Sequence, residues 1–243
     1  MCAEYVIRKS KAELQRSLGI PVTTDEGRTE RPRVRLFSHA PIVLSEGGRL
    51  AVEYFQFTLK PPSTKYSTFN ARLADFDERA RRAVPLYEKP TWKKPFIDRR
   101  CLVPMTEFIE PIYAGAHAGQ MVEFSDRENE TLFAAGLYEK STDLRTGELY
   151  AGFAIIMTFA SEFVRKVGHH RQPVFLRPSA FREWLEEDET PEERVQLLGR
   201  AQLDLNLTVK TDRAMAKGWE KRASAFKVKA DREAKAEAQL DSL

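Results

Sequence analysis

The feature that most constrains this fold is a series of short segments, rich in β-branched and aromatic residues, that polar turns separate. Such segments, bounded by turn-forming residues, are typical of β-strands. The strand-like segments are 5–7, 33–37, 42–44, 50–59, 99–104, 108–110, 121–124, 132–138, 151–158 and 174–176. Consecutive strands joined by short turns pair antiparallel. We therefore expect an α+β protein with a mostly antiparallel, barrel-like β-sheet core and peripheral helices, in a single domain.

Helical patterns are fewer and lie between or after these strands. The predicted helices are 10–18, 74–83, 161–167, 179–187 and 191–201. Ser10 and Glu13 have the spacing of a capping box at the start of the first helix. Residues 21–32 are polar and turn-rich, which predicts a surface loop. Residues 1–218 are expected to form the domain, and residues 219–243, rich in Ala, Lys, Glu and Arg, a charged helical or disordered tail facing solvent.

The composition excludes several classes of protein. The chain has 243 residues, a net charge of +3 and two cysteines, Cys2 and Cys101. Two isolated cysteines favour neither a disulfide scaffold nor a zinc–thiolate site, and we expect no metal and no cofactor. The apolar runs are too short to cross a bilayer, and charges interrupt the N-terminus where a signal peptide needs an apolar region. We expect a cytoplasmic protein whose mildly basic charge permits a nucleic-acid partner.

The N-terminal pair Met1-Cys2 offers an unusual nucleophile. Removal of Met1 leaves an amine and a thiol on adjacent carbons of Cys2, with ordinary pKa values of about 8 and about 8.5. The amine condenses with an aldehyde to an imine, and the thiolate then closes a five-membered thiazolidine. Many chains begin Met-Cys without such chemistry, so the rest of the sequence must decide.

Three polar sites follow or interrupt apolar segments. Asn70, between Phe69 and Ala71, orients a nucleophile or caps a turn. Glu110 ends an apolar strand, where desolvation raises the pKa of a carboxyl group towards that of a general acid or base; the alternative is an exposed strand end. In His169-His170-Arg171, neighbouring residues of an extended segment face opposite ways, so we expect one histidine and Arg171 in a cleft, or else a surface pair.

A basic and aromatic stretch adds a candidate nucleic-acid surface. Trp92 lies among the cations Lys89, Lys93, Lys94, Arg99 and Arg100. Cations that hold phosphates and rings that stack on bases are the composition of a single-stranded nucleic-acid platform, although a solvated charged face has the same composition. The sequence contains no P-loop, dinucleotide-binding, zincin or serine-hydrolase motif.

In their order along the chain, these residues resemble the SOS response-associated peptidase (SRAP) family. The matching segments are Met1 to Tyr5, Leu18-Gly19, Asn70-Ala71-Arg72, Lys89 to Lys93, Arg99 to Pro104, Glu107 to Pro111, Ala135 to Glu139, Ile156 to Ala160 and His169 to Val174. Each motif is weak alone, but jointly and in this order they are specific, and they run from residue 1 to about residue 210.

The resemblance implies the SRAP fold and a function on DNA. Members bind abasic sites in single-stranded DNA or at single-strand/double-strand junctions. The resemblance implies that self-cleavage of Met1 exposes Cys2, which joins the ring-opened deoxyribose as a thiazolidine and so shields the lesion. Asn70 would hold the amine, Glu110 would be the acid/base for ring opening, and His169 would serve the sugar oxygen and the 3′ phosphate, with lyase chemistry as a side activity. The expected DNA contacts are Arg72, Trp92, Lys93, Arg171, Phe57 and Pro41. We expect a monomer that associates with the nucleoid when it is bound to DNA.

Departures from the family pattern keep two alternatives open. Ala3-Glu4 replaces Gly-Arg, Phe57 stands where a tryptophan would stack, and Glu107 replaces a glycine. An anion beside the nucleophile suits a weakened, non-covalent single-stranded-DNA-binding module. An N-terminal-nucleophile cysteine hydrolase would also use Cys2, but it does not account for the basic and aromatic segments.

Overall fold

Two large β-sheets share one hydrophobic core. The computed structural model describes residues 4–22, 32–60, 67–142, 147–186 and 188–240. Cys2 and most of the predicted loop 21–32 lie outside the described residues. Among the described helices, none combines the length and the apolar character needed to cross a membrane.

Strands outnumber helices in the described part of the chain. In chain order, the strands are β1 (Glu4–Val6), β2 (Arg33–Arg35), β3 (His39–Glu46), β4 (Arg49–Phe57), β5 (Asn70–Arg72), β6 (Ala74–Asp77), β7 (Arg82–Pro85), β8 (Arg100–Met105), β9 (Glu107–Pro111), β10 (Gln120–Asp126), β11 (Leu132–Thr142), β12 (Leu149–Phe159), β13 (Arg171–Pro173) and β14 (Leu207–Ala214). The helices are α1 (Lys11–Ser17), α2 (Pro90–Asp98), α3 (Glu162–Val167), α4 (Phe181–Glu186), α5 (Pro191–Arg200) and α6 (Glu220–Leu240), with 3-10 turns at Leu86–Glu88 and Pro178–Ala180.

The first sheet carries the strand order β14-β10-β9-β1-β2, and every neighbouring pair is antiparallel. Strand β1 therefore lies between β9 and β2. Its first residue, Glu4, pairs with Ile109 of β9. On the other side of β9, Glu110 pairs with Val122 of β10. The carboxyl end of β9 is thus held from both sides, next to the start of β1.

The second sheet has the order β11-β8-β3-β4-β12-β13, and β5 adds to β12. Its pairs are antiparallel except for β12 with β4 and β12 with β5, which are parallel. Asn70 of β5 pairs with Ile155, while Arg171 of β13 pairs with Phe159 further along the same strand. Strand β12 therefore brings the segments of Asn70, Arg72 and Arg171 to one region of the sheet.

Aromatic rings join the two sheets. Tyr5 of the first sheet packs edge-on against Phe57 of the second, with ring centroids 5.4 Å apart, and Phe57 stacks on Phe153 at 5.1 Å. Burying a ring of this size stabilises a fold by about 2–3 kcal/mol. Buried side chains from both sheets form one cluster. The prediction of a single α+β domain with mostly antiparallel sheets and peripheral helices is confirmed.

Helix α1 confirms the prediction at 10–18, with both hydrogen bonds of the capping box between Ser10 and Glu13 present. The helix predicted at 74–83 is wrong, because these residues form the β6–β7 hairpin. The Asp77 carboxylate accepts hydrogen bonds from the backbone N–H groups of Arg79 and Ala80, which turns the chain where helix formers had suggested continuation. The sequence patterns also did not predict helix α2 or strand β14.

A glycine positions the histidine segment. Helix α3 ends at Gly168, whose φ of 115° lies in the left-handed region, and a Cβ there would collide with the Ala114 carbonyl oxygen. The chain leaves α3 through this residue directly into His169. Only glycine meets both requirements at low cost.

Replacing this glycine should therefore destabilise the protein. We expect Gly168→Ala to lower the free energy of unfolding by about 2 kcal/mol, from the left-handed backbone and the collision with Ala114. Gly199→Ala is the matched control, because Gly199 lies in α5 and nothing approaches its Cβ position within 4 Å; it should stabilise by about 0.5 kcal/mol. Urea unfolding measures both, and equal effects of the two variants would contradict the assigned role of Gly168.

Candidate functional site

The centre of the candidate site is a contact between two fully buried side chains, Glu110 and His169. Glu110, the second-last residue of β9, has 0% exposure, and the His169 side chain is likewise fully enclosed. The distance from His169 Nε2 to Glu110 Oε2 is 3.5 Å. The structure thus brings together two residues that are far apart in the sequence and that the sequence had separately suggested for acid/base chemistry.

Burial decides the charge of this pair. Removal from water raises the pKa of Glu110 to about 7 and lowers the pKa of His169 well below its ordinary value, because both groups lose hydration of their charged forms. His169 Nδ1 lies 2.8 Å from the carbonyl oxygen of Arg171, so an Nδ1–H donates there and the Nε2 lone pair faces Glu110. The backbone N–H of Arg171 is more distant from Nδ1, at 3.3 Å. Near neutral pH the pair is a neutral imidazole beside a carboxyl group close to its own titration point, and not an ion pair.

His170 joins the same site, contrary to the prediction that one histidine alone would do so. The two imidazole rings stack with centroids 5.1 Å apart, and His170 Nε2 lies 2.7 Å from Glu233 Oε2. The two histidines do not face opposite ways, because the chain bends at His170 instead of remaining extended. Strand β13 begins one residue later, at Arg171.

The two arginines expected to hold phosphates lie around one carboxylate of α6. Arg171 is 1% exposed and its Nε lies 3.0 Å from Glu233 Oε2, while Arg72 Nε lies 3.9 Å from Glu233 Oε1. Arg72 also pairs with Asp75 at 2.9 Å. Burial opposes ionisation of Glu233, but the contacts from His170 and Arg171 outweigh it and lower its pKa. Glu233 is therefore a buried anion among cations.

Sequence reasoning missed the α6 residues of this site and treated the tail as solvated. Phe226, Lys229, Glu233 and Ala236 lie three or four positions apart, the spacing of one helix face, and this face is buried or partly buried. That spacing was the one sequence signal that this helix face packs against the domain. It was weak because the face carries a single apolar ring among charged residues.

Asn70 is 9% exposed, and within the described part of the chain neither atom of its side-chain amide has a hydrogen-bond partner. Buried polar groups nearly always have partners, so this amide is available for one. A cavity of about 360 Å³ lies nearby. Its lining includes Phe69, the residue before Asn70, and Pro111, the residue after Glu110. His170, Tyr113 and residues of α6 complete the lining. The residues next to Asn70 and to Glu110 thus border one space with His170, and Cys2 lies outside the described residues.

The remaining expected DNA contacts are differently placed. Phe57 is fully buried against Phe153, Trp92 is 6% exposed in the core, and Pro41 is buried in β3. None of these three side chains offers a free face to a base, because the hydrophobic core covers them, and they leave the set of DNA contacts. Lys93 is exposed on α2.

Glu4 stands beside Cys2 where the family pattern has an arginine, and three arginines balance its negative charge. Its Oε1 lies 2.9 Å from Arg33 Nη1 and 3.2 Å from Arg35 Nε, and Arg213 hydrogen-bonds to Oε2. Burial raises the pKa of Glu4, but these arginines outweigh it and the net shift is downward. The negative charge is therefore balanced locally. Glu107, the second acidic departure, pairs with Arg8 at 3.0 Å.

The chain has recognisable relatives. The sequence profile of the SOS response associated peptidase (SRAP) family matches residues 1–212. The abasic site processing protein YoaM of Bacillus subtilis is 27% identical over 161 residues, a match that covers 64% of this chain and 66% of that protein, slightly less than two thirds of its length. YobE of the same organism, also an abasic site processing protein, is 28% identical over 161 residues, which cover 64% of this chain and 68% of YobE.

Solved structures share the fold. A protein from Bacteroides thetaiotaomicron aligns with a TM-score of 0.71 at 22% identity, over 87% of this chain and 92% of its own. A protein from Bordetella bronchiseptica aligns with a TM-score of 0.64 at 16% identity, over 87% of this chain and 100% of its own. At these identities the likeness concerns the fold alone.

The raised pKa of Glu110 predicts a pH-dependent stability. Between its ordinary value of 4.5 and about 7, the folded protein holds a proton on Glu110 that the unfolded chain has lost. Stability must therefore fall as the pH rises through this range. Relative to Glu110→Gln, which carries no charge, the wild-type protein should lose about 3 kcal/mol of unfolding free energy between pH 4.5 and pH 8.

Urea unfolding of the wild-type protein and of Glu110→Gln between pH 4.5 and pH 8 measures the difference in their unfolding free energies. Titrating groups that both proteins share cancel from this difference. Glu130→Gln is the control, because it also removes one carboxylate, at a side chain that is 80% exposed and pairs with Lys9; it should not reproduce the effect of Glu110→Gln. A Glu110→Gln difference that stays constant across the pH range would show that the folded protein keeps Glu110 ionised.

Proposed function

Because this chain belongs to the SOS response-associated peptidase family, we propose that it processes abasic sites in DNA by covalent capture. Cys2, exposed by removal of Met1, would join the aldehyde of the ring-opened deoxyribose as a thiazolidine and shield the lesion. The observation that carries this proposal is the buried contact between Glu110 and His169, 3.5 Å apart at the end of the strand beside β1. The names of the Bacillus relatives support abasic sites as the substrate class.

The chemistry needs a proton donor first. An abasic sugar is mostly a closed hemiacetal, and opening it moves the proton of the anomeric hydroxyl away while the ring oxygen gains one. A carboxyl group with a pKa of about 7 holds and releases a proton near neutral pH, which suits a general acid/base. His169, neutral because of its burial, accepts a proton at Nε2 without first having to lose one. Glu110 is assigned to ring opening, and His169 to the sugar oxygen and the 3′ phosphate side.

Capture then proceeds in two bond-forming steps. The Cys2 amine adds to the aldehyde carbon, and the carbinolamine loses water to give an imine. The Cys2 thiolate adds to the imine carbon, the nitrogen takes up a proton, and the five-membered ring closes. One C–N and one C–S bond form and one water leaves, so no oxidant or cofactor is required. Each protein molecule is consumed by one lesion unless the ring reopens.

The chain geometry supports Cys2 as the nucleophile. Glu4 pairs with Ile109, the residue before Glu110, and two residues of extended chain span at most about 7 Å. Cys2 precedes Glu4 by only two residues, and we therefore assign the nucleophile to this end of β9. The Asn70 amide, which has no hydrogen-bond partner among the described residues and follows Phe69 of the cavity wall, is assigned to holding the amine. Single-stranded or junction DNA is the proposed partner, with Arg72 and Arg171 on the phosphates that flank the lesion.

The two alternatives lose support. A non-covalent module was motivated by the acids Glu4 and Glu107, and both are balanced by arginines. A cysteine hydrolase acting on amides has no use for buried arginines on the other side of the histidines. Lyase chemistry and self-removal of Met1 remain parts of the proposal, as further uses of His169 and of Cys2 respectively.

Intact-mass spectrometry with a single-stranded oligonucleotide that contains one abasic site tests the proposal. We expect a complex stable to denaturation, with the mass of the protein lacking Met1 plus the oligonucleotide minus one water. Cys2→Ala should form none. Glu110→Gln should form it at least about 100-fold more slowly, the usual loss for a general acid/base.

The second cysteine supplies the matched control. Cys101 is fully buried, and burial raises the pKa of its thiol, which leaves it unreactive. Cys101→Ala should therefore crosslink at the wild-type rate. Crosslinking by Cys2→Ala at the wild-type rate would refute the assignment of Cys2 as the nucleophile. Binding without any adduct in the wild-type protein would favour the non-covalent module.

A further inference from the structure

The last helix of the described chain lies on the site. Helix α6 (Glu220–Leu240) follows the 212 residues that match the family profile. The Phe226 ring lies 4.3 Å from the His170 ring, 5.6 Å from the His169 ring and 4.8 Å from the Tyr113 ring, between centroids. Phe226 and Lys229 help to line the cavity that His170 and Phe69 border. The helix thus covers the entrance to the buried histidines.

One carboxylate of this helix stands where a phosphate is expected. Glu233 is 3% exposed and faces His170 at 2.7 Å, Arg171 at 3.0 Å and Arg72 at 3.9 Å. A phosphate of a DNA strand presents anionic oxygens to the same kinds of donor. Arg171 is 1% exposed, with its Nη2 donating to the Ala74 carbonyl oxygen and its Nε facing Glu233. A phosphate and the Glu233 carboxylate cannot both occupy the position beside this Nε.

The remaining contacts of α6 are mostly polar. Glu237 pairs with Arg165, the Gln239 side chain accepts a hydrogen bond of 2.6 Å from the Ala83 backbone, and the Lys235 ammonium lies 5.4 Å from the centre of the Phe76 ring. Partly exposed ion pairs of this kind each contribute little and weaken in salt. A helix held in this way is displaced more easily than one held by an apolar face.

We infer that α6 is an autoinhibitory helix that occupies the DNA-binding surface of the free protein, with Glu233 in the place of a backbone phosphate. The inference rests on the proposed function and adds a regulated step to it. A DNA strand competes with α6 for Arg72, Arg171 and His170, so the apparent affinity for DNA is lowered by the stability of the docked helix. Weakening the docking contacts should therefore strengthen DNA binding.

The test uses full-length Glu233→Gln and a control that changes the net charge equally. Asp231→Asn also removes one carboxylate from α6, but Asp231 is exposed. The probe is a single-stranded oligonucleotide carrying a tetrahydrofuran abasic analogue, which lacks an aldehyde and so reports binding without crosslinking. At fixed salt, Glu233→Gln should bind at least tenfold more tightly than wild type, and Asp231→Asn less than twofold more tightly. Phe226→Ala, which loosens the helix without a change of charge, should also bind more tightly.

The outcomes separate the two proposals. Equal affinities of Glu233→Gln and Asp231→Asn, or weaker binding by Glu233→Gln or Phe226→Ala, overturn the autoinhibitory helix and leave the proposed function intact. No binding by any of the proteins overturns both. Hydrogen exchange gives an independent readout: amides of residues 220–240 should exchange faster when the oligonucleotide is bound. Slower exchange would make α6 part of the DNA-binding surface and overturn the inference.

Discussion

The removal of the Glu110 carboxyl group from water is the constraint on which the site depends. A buried carboxyl group is costly to ionise, and the protein tolerates it because β9 is held between β1 and β10 and cannot bring the side chain to the surface. The same burial lowers the pKa of His169, its neighbour at 3.5 Å. Burial thus favours the protonated form of Glu110 and the neutral form of His169, so near neutral pH the carboxyl group can donate a proton and the imidazole can accept one, which is the division of roles that acid/base chemistry requires.

The sheets explain how distant residues reach this pair. Strand β12 lies between β5 and β13, so Asn70, Arg72 and Arg171 are placed by backbone pairing and not by flexible loops. Gly168 turns the chain from α3 into His169 within one residue. Sites built on paired strands are positioned more accurately than sites on loops. Covalent capture of an abasic site needs that accuracy, because an amine, a thiol and a sugar aldehyde must meet in one orientation.

Local patterns were sufficient for most strands of the two large sheets, because each strand depends on its immediate neighbours, but they missed β14 and the β6–β7 hairpin. Glu110 and His169 adjoin apolar segments, which suggested a buried position as one of two alternatives for each, and both are buried. Long-range packing could not be predicted in this way. Trp92 and Phe57 carry the composition of a base-stacking surface, yet both rings are buried in the hydrophobic core. The β6–β7 hairpin contains good helix formers, and its turn depends on the hydrogen bonds that Asp77 accepts.

The sequence did not predict that helix α6 packs against the site, and the charges of the site explain why it does. Burial lowers the pKa of Lys229, and the nearby charges of Arg72 and Arg171 lower it further, while Glu233 and Asp75 act against them. Without carboxylates among them, these cations would repel one another in a poorly hydrated space. Asp75 balances Arg72 from within the family domain, and Glu233 balances Arg171 and His170 from a segment beyond it, so the sequence of the domain carries no sign of the second anion. Under the proposed function, the charge that a DNA phosphate replaces is the charge of Glu233, which stabilises the site of the free protein.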